Sequence, residues 1–205
     1  MYIYKNILVG ENVNFRWSKK NTEPLEGPDT IVIHYTAGLS TDGLVRYLSD
    51  DYSKVSAHLL IARNGFIWQM VDFKTQAWHA GKSKLGDREN VNRFSIGIEL
   101  VNAGVLHEKG DDCFYDWSGH KIPDSQVVQQ LNVMTDVETG WHDYTEKQLL
   151  ALKEVCRLLI ANFNIKNIVG HSEISLTGKI DPGPAFPMNE FKFLLKTTKN
   201  LTTKH

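Results

Sequence analysis

His34 and His171 each close a short apolar run, Ile31-Val32-Ile33-His34 and Asn167-Ile168-Val169-Gly170-His171. Strand ends at one rim of an α/β sheet are where ligands gather, so two such strands lying side by side bring two imidazoles together. Asp181 follows His171 by ten residues and opens Asp181-Pro182-Gly183-Pro184, a stiff turn able to present its carboxylate as a third donor. Two histidines and one carboxylate leave a zinc ion one open position, the arrangement of a hydrolytic rather than a structural site. Taken singly, each histidine reads more readily as a strand end bonded to a backbone group, and only the set carries the metal reading. Glu99, in the middle of Ser95-Ile-Gly-Ile-Glu-Leu-Val101, has to face a cavity, a partner or water. It reads as a base or electrostatic partner for an activated water, or else as part of a solvated strand face shared with Ser95 and Gly97. Lys179, two residues before Asp181, could steady the oxyanion formed when water attacks a carbonyl, although a lone loop lysine is more often a solvated charge.

Trp78-His79-Ala80-Gly81 sets an aromatic ring and an imidazole beside a flexible turn, suited to a sugar or peptide wall or simply to a packed loop. His58, inside an apolar run, is expected as a buried supporting histidine rather than a ligand. His107, His120, His142 and His205 lie in polar surroundings and are expected at the surface. No G-x-S-x-G elbow, H-E-x-x-H, phosphate loop or C-x-x-C pair occurs, so nucleophilic serine chemistry, phosphoryl transfer and dinucleotide binding have no motif behind them. The 23 Lys and Arg against 24 Asp and Glu give a net charge of −1, without the basic field that a nucleic-acid partner would need. Cys113 and Cys156 allow at most one bridge, so this is no disulfide scaffold. No apolar run reaches the length of a membrane span, and the N-terminus lacks the apolar region of a signal peptide, which makes the cytoplasm the expected setting.

A chain of 205 residues is long enough for one domain with a real core. We expect an α/β fold, a single domain with a mixed central β-sheet flanked by α-helices. Residues 1–28 form an N-terminal extension packed on or leading into the domain, 29–196 the domain itself, 102–143 a loop-rich insertion, and 197–205 a polar tail. Thr41 is expected to cap a short helix using Leu44, Tyr47 and Leu48. Asn64-Gly65 between Ser56–Ala62 and Phe66–Val71 predicts a hairpin, because both turn residues tolerate positive φ. Ser95–Val101 alternates Ile96, Ile98 and Leu100 against Ser95, Gly97 and Glu99. Thr145-Glu-Lys-Gln148 is a capping-box pattern, and Leu149, Leu152, Cys156, Leu159 and Phe163 then form an amphipathic stripe that makes Cys156 a core thiol. Ile165–Val169 reads as a strand, Phe191–Lys196 as a last short helix, and the insertion as holding a Gly110-Asp-Asp turn, a hairpin and a short helix.

Seven blocks in order, IVIHYTAG, VSAHLLIARNG, AWHAGKS, NRFSIGIELVN, YTEKQL, IVGHSEIS and GKIDPGPAF, resemble the zinc-dependent N-acetylmuramoyl-L-alanine amidases of the type-2 amidase family. The likeness runs from about Asp29 to Leu195. That family includes the anhydro-muropeptide amidase of wall recycling and is related to peptidoglycan recognition proteins and phage amidase lysozymes. The resemblance implies one zinc per chain held by His34, His171 and Asp181, with Glu99 as the catalytic glutamate and Lys179 stabilising the transition state. It implies hydrolysis of the amide joining N-acetylmuramic acid, or its anhydro form, to L-alanine of the stem peptide, on peptidoglycan or on soluble muropeptides; a monomer is expected. Trp78, His79, Arg88 and Asn92 match positions lining the substrate groove of similar enzymes. The sequence departs from its relatives in places. Only 23 residues separate His34 from His58, where the recycling enzyme carries a longer insertion; Ala57 replaces the tyrosine of the phage enzymes; and Asp181 stands where they use cysteine. These differences leave open whether the substrate is intact wall or small muropeptide, and whether the setting is a recycling enzyme or a phage lysin. A muropeptide-binding module without catalysis, and a hydrolase for another amide, remain the competing readings.

Overall fold

The computed structural model describes residues 1–110, 113–132 and 137–202, with the side chains of Asn132 and of 198–202 left aside. Six strands form the central sheet in the order Asn167–Gly170, Thr30–Tyr35, Ser95–Leu100, Leu59–Ile61, Ile67–Gln69, Val13–Phe15. The sheet is mixed: its pairs run parallel except for Leu59–Ile61 against Ile67–Gln69. Because side chains alternate across a strand, Ile31, Ile33, Ile96, Ile98 and Leu100 share one face. There they pack with Leu152, Val155, Cys156 and Leu159 of helix α2 (Glu146–Asn162) and Phe191 and Leu194 of helix α3 (Met188–Thr202). Helix α1 (Thr41–Ser49) covers part of the opposite face, where Val45 and Leu48 meet Leu60, Met70 and Val101. The rest of that face, bearing His34, Gly97 and Glu99, is left for the site. This is the expected α/β architecture. Among the described residues no helix is long and apolar enough to cross a membrane.

Several local expectations change in detail. Ser40, not Thr41, caps α1, its hydroxyl accepting from the Gly43 amide at 3.3 Å. Thr145 caps α2 as expected, but Gln148 does not return the bond; its Nε2 donates to the Ile61 and Val101 carbonyls and ties the helix to two strand ends. At Asn64-Gly65 only Gly65 takes positive φ (+85°), while the Asn64 side chain accepts from the Phe66 amide. The Ala62 carbonyl accepts from the Gly65 amide and the Ala62 amide bonds to the Phe66 carbonyl, so three residues make the turn instead of two. The left-handed pair occurs at Lys5-Asn6 (φ +47° and +66°), which turns the Tyr2–Tyr4/Ile7–Val9 hairpin. Residues 1–28 thus supply that hairpin and an edge strand of the central sheet. Helix α3 begins just after Pro187 and outruns the expected Phe191–Lys196 because no Gly or Pro interrupts it.

The insertion holds a three-stranded sheet (His107–Glu108, Phe114–Tyr115, Lys121–Ile122) and a longer hairpin, Val127–Asn132 with Val137–His142. His142, expected at the surface, is buried here because that hairpin folds back on the domain. Its Nδ1 accepts from the Ala103 amide, and burial with the nearby Arg63 lowers its pKa to about 4. Cys156 lies in the core as expected, its thiol pushed up to about 12 by burial. The Gly110-Asp111-Asp112 turn, His205 and the end of the tail lie outside the described residues.

Candidate active site

Sheet register brings the chemistry together. The parallel pairing sets Gly170 opposite Ile33 and His34 opposite Glu99. The residue after Gly170, His171, therefore comes level with His34 at the same rim, and Glu99 points from the next strand to the same side. Asp181 is carried in by its turn, whose carbonyl accepts from the Ser172 amide at 2.9 Å. Strand and turn can approach so closely because Gly170 has no side chain: a Cβ there would lie 2.6 Å from Pro182 Cδ. From the other side the Tyr144 hydroxyl donates to the Pro182 carbonyl at 2.7 Å, and the Trp141 ring packs on Gly183. The Asp181–Pro182 peptide is cis.

Three donor atoms converge. His34 Nδ1 lies 2.9 Å from Asp181 Oδ2 and 3.1 Å from His171 Nδ1, and His171 Nδ1 lies 3.1 Å from Asp181 Oδ2. A tetrahedral ion bonded at about 2.0–2.1 Å separates its donors by about 3.3 Å, so this triangle has the dimensions of one face of a zinc site. The outer ring atoms support the same conclusion. His171 Nε2 faces the Ala80 carbonyl at 3.3 Å, which only accepts, so that nitrogen donates and Nδ1 is left as the ring atom turned inward to bind a cation. A lone pair aimed at a second imidazole and a carboxylate fits a shared cation. His34, His171 and Asp181 are the one such group of donors among the described residues.

The charges around the triangle are uneven. Burial lowers the His34 pKa, opposed by Asp181. For Asp181 without the cation, burial would raise the pKa, but hydrogen bonds from the His171 and His34 rings outweigh it and hold the carboxyl well below the usual range, a proton on an inward-facing Nδ1 standing where the cation would sit. Glu99 goes the other way. Burial, reinforced by Asp181 and opposed by Lys179, pushes it up to about 8, and its Oε2 is buried without a protein hydrogen-bond partner. Tyr35, beside the first histidine, is raised to about 12, mainly by burial. Two carboxylates driven in opposite directions within one cleft are the usual signature of divided roles, one fixed as an anion and one able to exchange a proton.

A groove of about 600 Å³ opens over these residues, lined among others by Tyr47, Trp78, Glu99 and Lys179. Trp78 forms part of its wall. His79 touches it but is mostly buried behind His34, and Asn92 Oδ1 accepts from the His79 and Ala80 amides at 3.1 and 2.8 Å. Arg88 is not among the groove's lining residues: its guanidinium makes two bonds to Asp29, at 2.9 and 3.0 Å, and lies over the Phe94 ring. His58 is buried as expected, accepting from the Gly97 amide and donating to the Thr75 carbonyl. Sequence reasoning missed Tyr35, Tyr144 and Trp141, because nothing in local sequence tells that the insertion folds back against the Asp181 turn.

The model of the family Amidase_2, N-acetylmuramoyl-L-alanine amidase, matches residues 23–184. The 1,6-anhydro-N-acetylmuramyl-L-alanine amidase AmpD of Salmonella typhimurium (strain SL1344) is 33% identical over 172 residues, 82% of this chain and 73% of that protein. The N-acetylmuramoyl-L-alanine amidase AmiD of Escherichia coli (strain K12) is 32% identical over 169 residues, covering 78% of this chain and 50% of its own length. The crystal structure of an AmpD derivative superposes with a TM-score of 0.70 at 26% identity, over 95% of this chain and 99% of that one. AmiD from E. coli, solved with the substrate anhydro-N-acetylmuramic acid-L-Ala-D-gamma-Glu-L-Lys, gives 0.60 at 31% identity, over 82% and 57%. With the mixed sheet and the donor triangle at its rim, these matches show that the chain belongs to the Amidase_2 family, the N-acetylmuramoyl-L-alanine amidases.

Proposed function

We propose that this chain hydrolyses the amide between N-acetylmuramic acid, in its anhydro form, and L-alanine of soluble stem-peptide fragments, using zinc held by His34, His171 and Asp181. The donor triangle carries the metal assignment. The anhydro substrate is supported by the AmpD relatives' names and by the ligand of the AmiD complex. Zinc, when bound, supplies Lewis acidity to the scissile carbonyl and to the attacking water.

The protein's own groups do the rest. Glu99 takes the proton from water as its oxygen bonds to the carbonyl carbon, then delivers that proton to the alanine nitrogen as the C–N bond breaks. A carboxyl near 8 sits close to neutral pH, where one group both accepts and gives a proton efficiently. The Lys179 ammonium faces the developing oxyanion, and its field already lowers the Glu99 pKa. Trp78 offers a flat apolar wall for the sugar or the peptide. A monomer is part of the same proposal, since the groups in this scheme all lie on one chain, and so is a cytoplasmic setting.

The test is mass spectrometry of products after zinc-loaded protein meets anhydro-muropeptide and intact peptidoglycan in separate reactions. Free stem peptide beginning at L-alanine, formed faster from the anhydro-muropeptide, is the expected result. Faster release from intact wall overturns the substrate assignment, and no release from either overturns catalysis in favour of a binding module.

A further inference from the structure

From the donor triangle a line of mostly buried polar groups runs back, away from the groove, into the protein. His34 Nε2 lies 3.0 Å from His79 Nδ1, His79 Nε2 lies 3.1 Å from Ser95 Oγ, and Ser95 Oγ lies 2.7 Å from the Val91 carbonyl. The last group decides the direction of the whole line. A carbonyl only accepts, so the Ser95 hydroxyl donates to it and its lone pair receives His79 Nε2–H. A neutral His79 then has a bare Nδ1, and that atom accepts the proton on His34 Nε2. The opposite direction needs a charged imidazolium at His79. That charge would be buried among His34 and His58, with no carboxylate bonded to it.

We propose that His79 is a positioning residue, which through its bond to His34 Nε2 holds that ring in the tautomer whose free Nδ1 faces His171 and Asp181. The proposal rests on the ligand set given above and goes beyond it, because it gives His79, which only touches the groove, a role at the metal centre. Two further observations support it. Asn92 grips the backbone of the same segment, and the Ala80 carbonyl takes the proton on His171 Nε2, so residues 79 and 80 orient both histidines at once. Gly97 makes room for the His79 ring: a Cβ there would stand 2.3 Å from His79 Cγ. Partners of this kind, which fix the tautomer and angle of a ligating imidazole, typically change metal affinity 10–100-fold when removed.

The test uses the full chain loaded with zinc and labelled with ¹⁵N at histidine. Long-range proton–nitrogen correlation should show His34 protonated at Nε2 and His79 protonated at Nε2 with a bare Nδ1. Chelator competition then compares His79→Leu, which has no acceptor, with His79→Asn, whose Oδ1 stands where Nδ1 stood. A zinc affinity about 10–100-fold weaker in the leucine variant, restored to within a few-fold in the asparagine variant, is the expected result. His34 bound through Nε2, or a leucine variant with wild-type affinity, overturns the role of His79. If the leucine variant does not fold, the wild-type tautomers and the asparagine variant still decide. Wild-type protein that retains no zinc overturns the ligand set and this role together.

Discussion

Glu99→Gln separates the electrostatic argument from the catalytic one, because the two make independent demands on the same residue. Folded Glu99 keeps its proton up to about 8, whereas an ordinary glutamate loses it at 4.5. Between those values the unfolded chain releases a proton that the folded chain still holds, so stability falls as pH rises. The full gap corresponds to about 5 kcal/mol, lost at roughly 1.4 kcal/mol per pH unit. Glutamine has nearly the same shape and no charge, so the variant escapes this loss. Chemical denaturation of metal-free wild type and Glu99→Gln, from about pH 4 to about pH 9, reads the difference directly, since the other titrations largely cancel. The variant should gain steadily on the wild type across the window and level off above about pH 8. A difference that stays flat with pH refutes the claim that Glu99 is held protonated by burial. In zinc-loaded protein the same substitution should leave the metal in place and reduce turnover by about 10²–10⁴-fold, the usual contribution of a general base. A fully active variant removes Glu99 from the proton transfer.

Three further outcomes are expected. His171→Ala should lose both activity and zinc through dialysis, read by elemental analysis; stoichiometric metal in that variant takes His171 out of the ligand set. Gly170→Ala drives a methyl to 2.6 Å from Pro182 and should cost about 1–3 kcal/mol, a fall in Tm of roughly 3–10 °C, together with weaker metal binding as the Asp181 turn is pushed away. An unchanged Tm would mean that strand and turn are not in contact. Arg88→Ala removes two bonds between a half-exposed guanidinium and the largely buried Asp29, with its contact over Phe94, and should cost about 1–2 kcal/mol, with KM within about twofold of wild type. A tenfold rise in KM would return Arg88 to the substrate groove.

The motifs show how much of the site could be read in one dimension. His34 and His171 were legible because each ends a run of apolar residues, and Asp181 because prolines flank its turn. Glu99 stood out as a carboxylate in a strand whose other residues are apolar or small. Their companions were harder to read. Trp78 and His79 were read as a sugar or peptide wall, and Arg88 and Asn92 joined them by the resemblance alone, yet the structure places the four in three surroundings: the groove wall, the back of His34, and an outer ion pair. His142 looked like a surface residue because its sequence neighbours are polar, and only the long hairpin's return to the domain buries it.

What the sequence determines by itself is the set of elements and the chemical types at their ends, because periodicity, caps and turn residues act over a few positions. The Cys156 stripe, the Thr145 cap and the Ile96, Ile98, Leu100 face are all of this kind. Register belongs to the tertiary structure. The pairings of Gly170 with Ile33 and of His34 with Glu99 join residues far apart in the chain, and a slip of one residue would turn a side chain to the opposite face of the sheet. That alignment, and the bare Gly170 that lets the Asp181 turn close on it, bring three unremarkable polar atoms to about 3 Å from one another. The direction of the protons behind them is settled more remotely still, by carbonyl groups of Val91 and Ala80 that can only accept.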